Sequence, residues 1–280
     1  MIRFLRSNSK MHSNRRLLPG HNLSLGISLL YLSLFLLIPL GALFLQSAQI
    51  STSKIIQVLS SERIWAACKI SFGFALISAL LNVVMGFTLA WPLARYSFPG
   101  KKILDTIIDL PLALPTAVAG ISLASLYASN SHLGGFLESA GIQVAYSPLG
   151  IVIAMSFVGI PFAVRTVQPV IEEIDIGIEE AAATLGANWS QIFFKIILPM
   201  ITPSLLAGFG LSFARAVGEY GSVIFIAGNI PYQTEIAPLL ILSKLEQYDY
   251  DGAIILAMLM LSISFLVLLT VNLTGRFRKR

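Results

Sequence analysis

An all-α, polytopic membrane protein with about six spans is the fold class this sequence predicts. Three observations lead there. Hydrophobic residues make up 56% of the 280 and charged residues only 12%, about half the ~25% of an ordinary soluble domain. The mean hydropathy is +0.80. The apolar residues gather into runs near the roughly 20 residues needed to cross about 30 Å of hydrocarbon, separated by short polar stretches.

Residues 1–22 carry Arg3, Arg6, Lys10, Arg15 and Arg16 with no acid and read as an N-terminal tail. Leu23 to Leu45 is the first predicted span, longer than the apolar core of a secretory signal. Residues 46–69 are mixed and polar. Ile70 to Leu93 is the second span, in which Gly73, Ser78, Gly86 and Ala90 permit close helix packing. A basic turn, Arg95 to Lys102, leads to a third segment, Ile107 to Tyr127, which contains Pro111 and Pro115. It reads as a kinked span facing a cavity or as a kink made for packing; in the first case Thr116, Ser122 and Ser125 offer it hydroxyls.

Residues 128–147 form a loop without lysine or arginine, and Leu149 to Val164 is a short fourth apolar run. A polar stretch, 165–200, separates it from the fifth span, Ser204 to Phe225. The connection 226–251 follows, with Ile236 to Leu242 re-entering or lying against the bundle. Ile254 to Val271 is the last span, and residues 272–280 form a basic tail with Arg276, Arg278, Lys279 and Arg280.

The basic residues predict an orientation. With the N-terminus inside, the inner segments hold five, three, two and four of them, and the outer segments only Lys54, Arg63, Lys69 and Lys244. Both termini and the 165–200 stretch are then cytoplasmic. The net charge of +5 is a mark of topology rather than of a nucleic-acid surface.

Little in the chain points to chemistry of its own. There is no G-x-x-x-x-G-K-[ST] phosphate loop and no HExxH. The single cysteine, Cys68, reads as a small apolar filler, and His12, His21 and His132 as solvated residues of loops or tails. The expectation is no catalytic residue, no metal and no cofactor held by this chain. Arg215 and Glu219 are the ionised residues inside a span, four apart and able to pair. One reading turns Arg215 toward a pathway for an anion, with Glu219 neutralising it. The other is a static pair that fastens the helix to its neighbours.

The segment Glu179 to Pro199, EEAAATLGANWSQIFFKIILP, holds two short amphipathic helices. Ile171, Ile174, Ile178, Ala182 and Leu185 recur at helical spacing; Gly186 supplies a turn; Asn188 and Gln191 have the spacing of a capping box. Trp189, Ile192, Phe193 and Ile196 form a second face, expected to stop at Pro199. The residues alone leave open a docking element or an ordinary loop. The arrangement Glu180-Ala181-Ala182, Gly186, Ile196-x-Leu198-Pro199 resembles the EAA loop of ABC importer permeases, seven positions over twenty residues.

Further strings, Leu18-Pro19-Gly20, RYSFPGKK, DLPLALPTAVAG, IPFAVRTVQPVIEE and LSFARAVGEYGSVIFIAGNIPYQTE, resemble the sulfate/thiosulfate permease subunits (the T subunits) across nearly the whole chain. Tyr220 departs from the pattern, where phenylalanine is commoner. Molybdate and tungstate permeases share the loop and part of the last string.

The resemblance implies a type I importer bundle (residues 23–271) with a cytoplasmic coupling helix in 171–199. It implies a second related permease, two ATP-binding subunits that hold ATP and Mg, and an external sulfate-binding protein. It places the chain in a bacterial (including cyanobacterial) inner membrane or a plastid membrane. Glu180 would then cap or salt-bridge at the ATPase groove, Ala181 and Ala182 allow close approach, and Gly186 make the turn. An ion-coupled secondary transporter, using Arg215 and Glu219, is the rival reading of another class.

Overall fold

The computed structural model describes residues 21–277. Regular structure among them is helical throughout, and they divide into two compact units between Gln49 and Ile50.

The first unit is an apolar rod. Helices α1 (His21–Leu32) and α2 (Ile38–Gln49) are joined by a π-helical turn, Ser33–Leu37. Leu23–Gln49 is long and apolar enough to cross a membrane, and none of it is buried. Pro39 follows the wide turn, where a missing N–H disturbs the ladder least. The predicted tail thus gives way to helix at His21, and its residues 1–20 lie outside the described residues.

The second unit begins with α3 (Thr52–Leu59), capped by the Ser51 hydroxyl, and α4 (Glu62–Arg95). Helix α4 starts eight residues before the predicted span, because its first turns pack Ile64, Ala67 and Cys68 into an apolar cluster. Then come α5 (Lys101–Ala113), α6 (Thr116–Tyr127), α7 (His132–Ser139) and α8 (Pro148–Glu173). The predicted kinked third span is a pair of helices, α5 and α6, bent by 112°. Leu114 is extended because Pro115 follows it, which ends α5. Pro111, by contrast, sits inside α5 and breaks nothing.

Helix α8 runs to Glu173, well past the predicted end at Val164. Its polar residues find partners. Arg165 grips Asp109 with two hydrogen bonds (2.9 and 2.6 Å) and Asp105 with another (2.7 Å), and it also donates to Gln168. Ile171 therefore belongs to α8, and Ile174 to its C-cap. The first short amphipathic helix is α9 (Ile176–Thr184), begun by the Asp175 side chain accepting from Gly177 N–H.

Next follow α10 (Trp189–Ile192), a π turn (Phe193–Ile197) and α11 (Leu198–Val217), together one continuous rod. Pro199 does not stop it. The wide turn just before has already shifted the ladder, Leu198 N–H reaching back to the Phe193 carbonyl, so the proline falls in the first turn of α11. This fifth span starts and ends earlier than predicted, and Glu219 lies beyond its end. The chain finishes with α12 (Val223–Ile226), α13 (Ala237–Glu246) and α14 (Tyr250–Phe277). The stretch expected to re-enter or lie against the bundle is α13, with Ala237, Leu239 and Leu240 buried, and α14 continues into the predicted tail as far as Phe277.

Helices α4, α8 and α11 pack together at the centre. Small residues set their spacing, since packing rather than water exclusion holds helices together in lipid. A Cβ on Gly86 would stand 2.6 Å from the Ala163 Cβ. Gly73, also expected at a contact, faces open space. Ser78 donates to the Val152 carbonyl and Ser212 to the Gly159 carbonyl, so backbone and hydroxyls cross-link the buried helices. Among the described residues, five helical stretches are long and apolar enough to span, or six if the bent α5–α6 pair counts as one.

Candidate functional site

Two places carry the predicted site residues, and they stand apart. The first is the α9–α10 segment. Its turn is built as the sequence dictates. Gly186 has a φ of +87°, a left-handed conformation that glycine adopts freely, and its N–H bonds the Ala183 carbonyl while Ala187 N–H bonds that of Ala182. Asn188 Oδ1 accepts from Gln191 N–H and Gln191 Oε1 from Asn188 N–H, each at 2.9 Å, a complete capping box.

The two neighbouring glutamates divide their work. Glu179 pairs at 2.5 Å with Arg95, the last residue of α4. Arg95 also donates to the Ile174 carbonyl at 3.3 Å and lies over the Trp91 ring at 5.5 Å. Glu180 is exposed and makes no ion pair among the described residues. Ala181 faces outward too, whereas Ala182 and Leu198 settle against the apolar cluster of Leu93, Ile171, Ile192 and Ile197. Ile196 is half-buried and Pro199 exposed.

Aromatic contacts complete the anchor: Phe193 meets Phe87 at 5.8 Å and Trp91 at 6.4 Å, and Trp189 stacks on it at 5.5 Å. What remains outside is apolar. Leu185 is 89% exposed, Trp189 71%, and Ile176 and Phe194 each 59%. The segment thus presents a large apolar face outward from a firmly held base. Arg95 as its anchor was not foreseen. The available signal was a cation at a span end, with no hint of which acid it meets.

The second place is the end of α11. Arg215 pairs with Glu219 at 2.5 Å, as the spacing predicts. Glu219, 1% exposed, also accepts from both the N–H and the hydroxyl of Ser222 at 2.9 Å. The carboxylate thus staples the end of α11 to the start of α12, and Arg215 stays partly open. Thr116 joins them from the bend of the α5–α6 pair. Its hydroxyl occupies the space a Gly221 Cβ would need, and Gly120 on the same helix lies flat against the Ser222 backbone. Of the other hydroxyls, Ser125 lines a cavity of about 470 Å³ with Tyr146 and Phe225, while Ser122 is exposed elsewhere.

Residues 82–279 match the family model described as binding-protein-dependent transport system inner membrane component. This chain belongs to that family. Among curated relatives of this permease, a sulfate transport system permease protein of Escherichia coli (strain K12) is 49% identical over 96% of this chain and 97% of its own length. A protein of the same description from Synechococcus elongatus is 46% identical over 89% of this chain and 90% of its own.

Solved structures agree in fold. A bacterial ABC transporter involved in alginate import matches with a TM-score of 0.75 at 17% identity, over 91% of this chain and 94% of that one. The MetNI methionine ABC transporter, in inward-facing form, matches with a TM-score of 0.59 at 16% identity, over 82% of this chain and all of that one. The permease therefore has the helical bundle of ABC importer membrane subunits.

Proposed function

We propose that this permease is the membrane-spanning subunit of an ATP-driven importer of sulfate or thiosulfate. The substrate class rests on nearly full-length similarity to sulfate permeases. In this reading the chain works beside a second, related permease, above two ATP-binding subunits that carry ATP and Mg. It receives the anion from an external binding protein, and its termini face the cytoplasm or stroma.

The observation that carries the mechanism is the outward apolar face of α9–α10 on a base tied to three helices. A partner gripping Leu185, Trp189 and Glu180 pulls on α4 through Arg95–Glu179, on α8 through the two-residue link Ile174–Asp175, and on α11 through the π turn. These are the helices of the central bundle. Motion driven by ATP binding at the partner thereby tilts the bundle between outward- and inward-open states. Arg215, Glu219 and Thr116 meet at the other end of α11, where such a tilt opens or closes the α6–α12 contact. They act as a gate, with the buried carboxylate fixing the loop and Arg215 offering its free side to an anion.

Gly186→Asp tests the docking role. Nothing within 4 Å of the new Cβ would clash, so the bundle stays intact. The left-handed turn costs roughly 1–2 kcal/mol without glycine, and the added carboxylate meets the partner. The expected outcome is loss of sulfate uptake and of ATPase co-purification, with unchanged membrane insertion. Normal uptake and normal ATPase binding would contradict the role given to 175–194.

A further inference from the structure

The ends of the helices remote from Arg95 enclose a cavity of about 250 Å³ that the mechanism above does not use. Helix α4 separates the two places by about 50 Å, at 1.5 Å per residue. Three cations line the cavity: Lys54 from α3, Arg63 from the first turn of α4 and Lys244 from α13. With the inside and outside predicted from the basic residues, these are three of the four cations assigned to the outer segments. Topology accounts for the inner ones. It does not account for these, and they converge.

Their partners are too few. Arg63 is held by Glu235, at 2.8 and 2.6 Å. Lys54 and Lys244 share one carboxylate, Asp249, at 3.0 and 2.9 Å. Each ammonium has three donors, so most of that capacity points elsewhere. Side-chain exposures of 33% and 17% keep both ammoniums within reach of solvent without full hydration.

Neutral donors stand around them, Ser61, Ser243, Gln57 and Gln247. Ser61 precedes the 34-residue α4 without its side chain capping it, so that helix start opens at the same wall, its positive end partly offset by Glu62 in the first turn. Ammoniums, hydroxyls and a helix start are the donor set of a tetrahedral oxyanion.

We propose that this cavity binds such an oxyanion, a free dianion like sulfate or the phosphate of a lipid headgroup. The free-anion form rests on the transport reading only for the anion's identity. It gives the substrate a first stop on the face opposite the docking segment. Asp249 is its competitor, occupying both ammoniums when the anion is absent.

The test is thermal unfolding of the full chain in neutral detergent, titrated with sodium sulfate against sodium chloride of equal ionic strength. A saturable rise in melting temperature with sulfate is expected. Lys244→Gln and Lys54→Gln each weaken the apparent affinity about tenfold, the loss of one charged hydrogen bond. Lys69→Gln, an exposed outer cation away from the cavity, leaves it unchanged. Asp249→Asn strengthens it several-fold, a gain that misfolding cannot produce.

A parallel titration in nanodiscs with and without phosphatidylglycerol separates the sources. A response to sulfate in detergent identifies the free anion, and a response only to the anionic lipid identifies the headgroup. No saturable response to either overturns the proposal. So does an Asp249→Asn variant that binds as weakly as Lys244→Gln. If the lysine variants lose activity only in the presence of the delivery protein, with sulfate binding intact, the cavity is a protein-docking surface and the oxyanion site is wrong. The melting readouts do not depend on ATP hydrolysis, so their failure leaves the transport reading standing.

Discussion

Arg95, at the end of α4, anchors the α9–α10 segment to the bundle. It is a partly buried cation joined at once to a carboxylate, a helix-end carbonyl and an indole face. Removing it leaves Glu179 without its partner and frees the start of α9. Arg95→Ala is expected to lower the local stability of residues 175–187 by about 1–2 kcal/mol, in keeping with a charged hydrogen bond that water partly screens. Hydrogen exchange of that segment is the check. Combined with Glu179→Ala, the two losses add to less than their sum; full additivity would mean the pair carries no coupling.

A second single-residue effect sits at Asp249. Hydrogen bonds from Lys244 first, then Lys54 and the Gly252 N–H, outweigh burial and hold its carboxyl down to about 2. The folded value lies below the unfolded one of about 3.9. Its contribution is therefore full above about pH 4 and lost as the pH falls toward about 2. Melting curves of the wild type and Asp249→Asn are expected to differ at neutral pH and to converge over that acid range. A gap that stays constant down to about pH 2 would contradict the assignment.

At the scale of elements, the α5–α6 pair is the part whose sequence and structure diverge most instructively. Both prolines suggest a kink, yet only Pro115 forces the 112° bend, and α5 is then kept against α8 by Arg165 with Asp105 and Asp109. This grip links the α8 stem of the docking segment to the bend where Thr116 meets Gly221. Arg165→Ala is expected to loosen α5 by about 1 kcal/mol, since all three groups are about a third or more exposed and screened. It would also reduce uptake while leaving ATPase binding in place. Cross-linking between cysteines placed on α5 and α8 reads this directly: an unchanged yield would show that apolar packing alone holds them.

The fold was legible in the sequence wherever one residue type ran on long enough, and opaque wherever an end depended on a distant partner. The apolar runs at residues 23–45, 70–93 and 254–271 all lie within observed spans. The end of α8 was not legible, because Arg165 is satisfied by residues 56 and 60 positions away. Pro199 misled for a local reason, the π turn that absorbs it. The site divides the same way. Gly186 and the Asn188–Gln191 box are short-range signals and read correctly, and so does the Arg215–Glu219 spacing. The Arg95–Glu179 pair spans 84 positions, and its partners could not be matched without the fold.

On the scale of the second unit, the helices form a bundle with the α9–α10 segment at one end and, at the other, a partly open ion pair beside a broken helix pair. Its helices α4, α8 and α11 run between them. In the proposed reading the ATPase docks at one end and the anion enters at the other, joined by the central bundle. In the proposed function a docked ATPase responds to the anion through this chain. The direct test is ATPase activity of the detergent-purified complex with its binding protein, stimulated by sulfate or by molybdate. Stimulation by sulfate and none by molybdate is expected. Stimulation by molybdate alone would contradict the substrate, and a chain that purifies with no ATPase at all would contradict the docking segment itself.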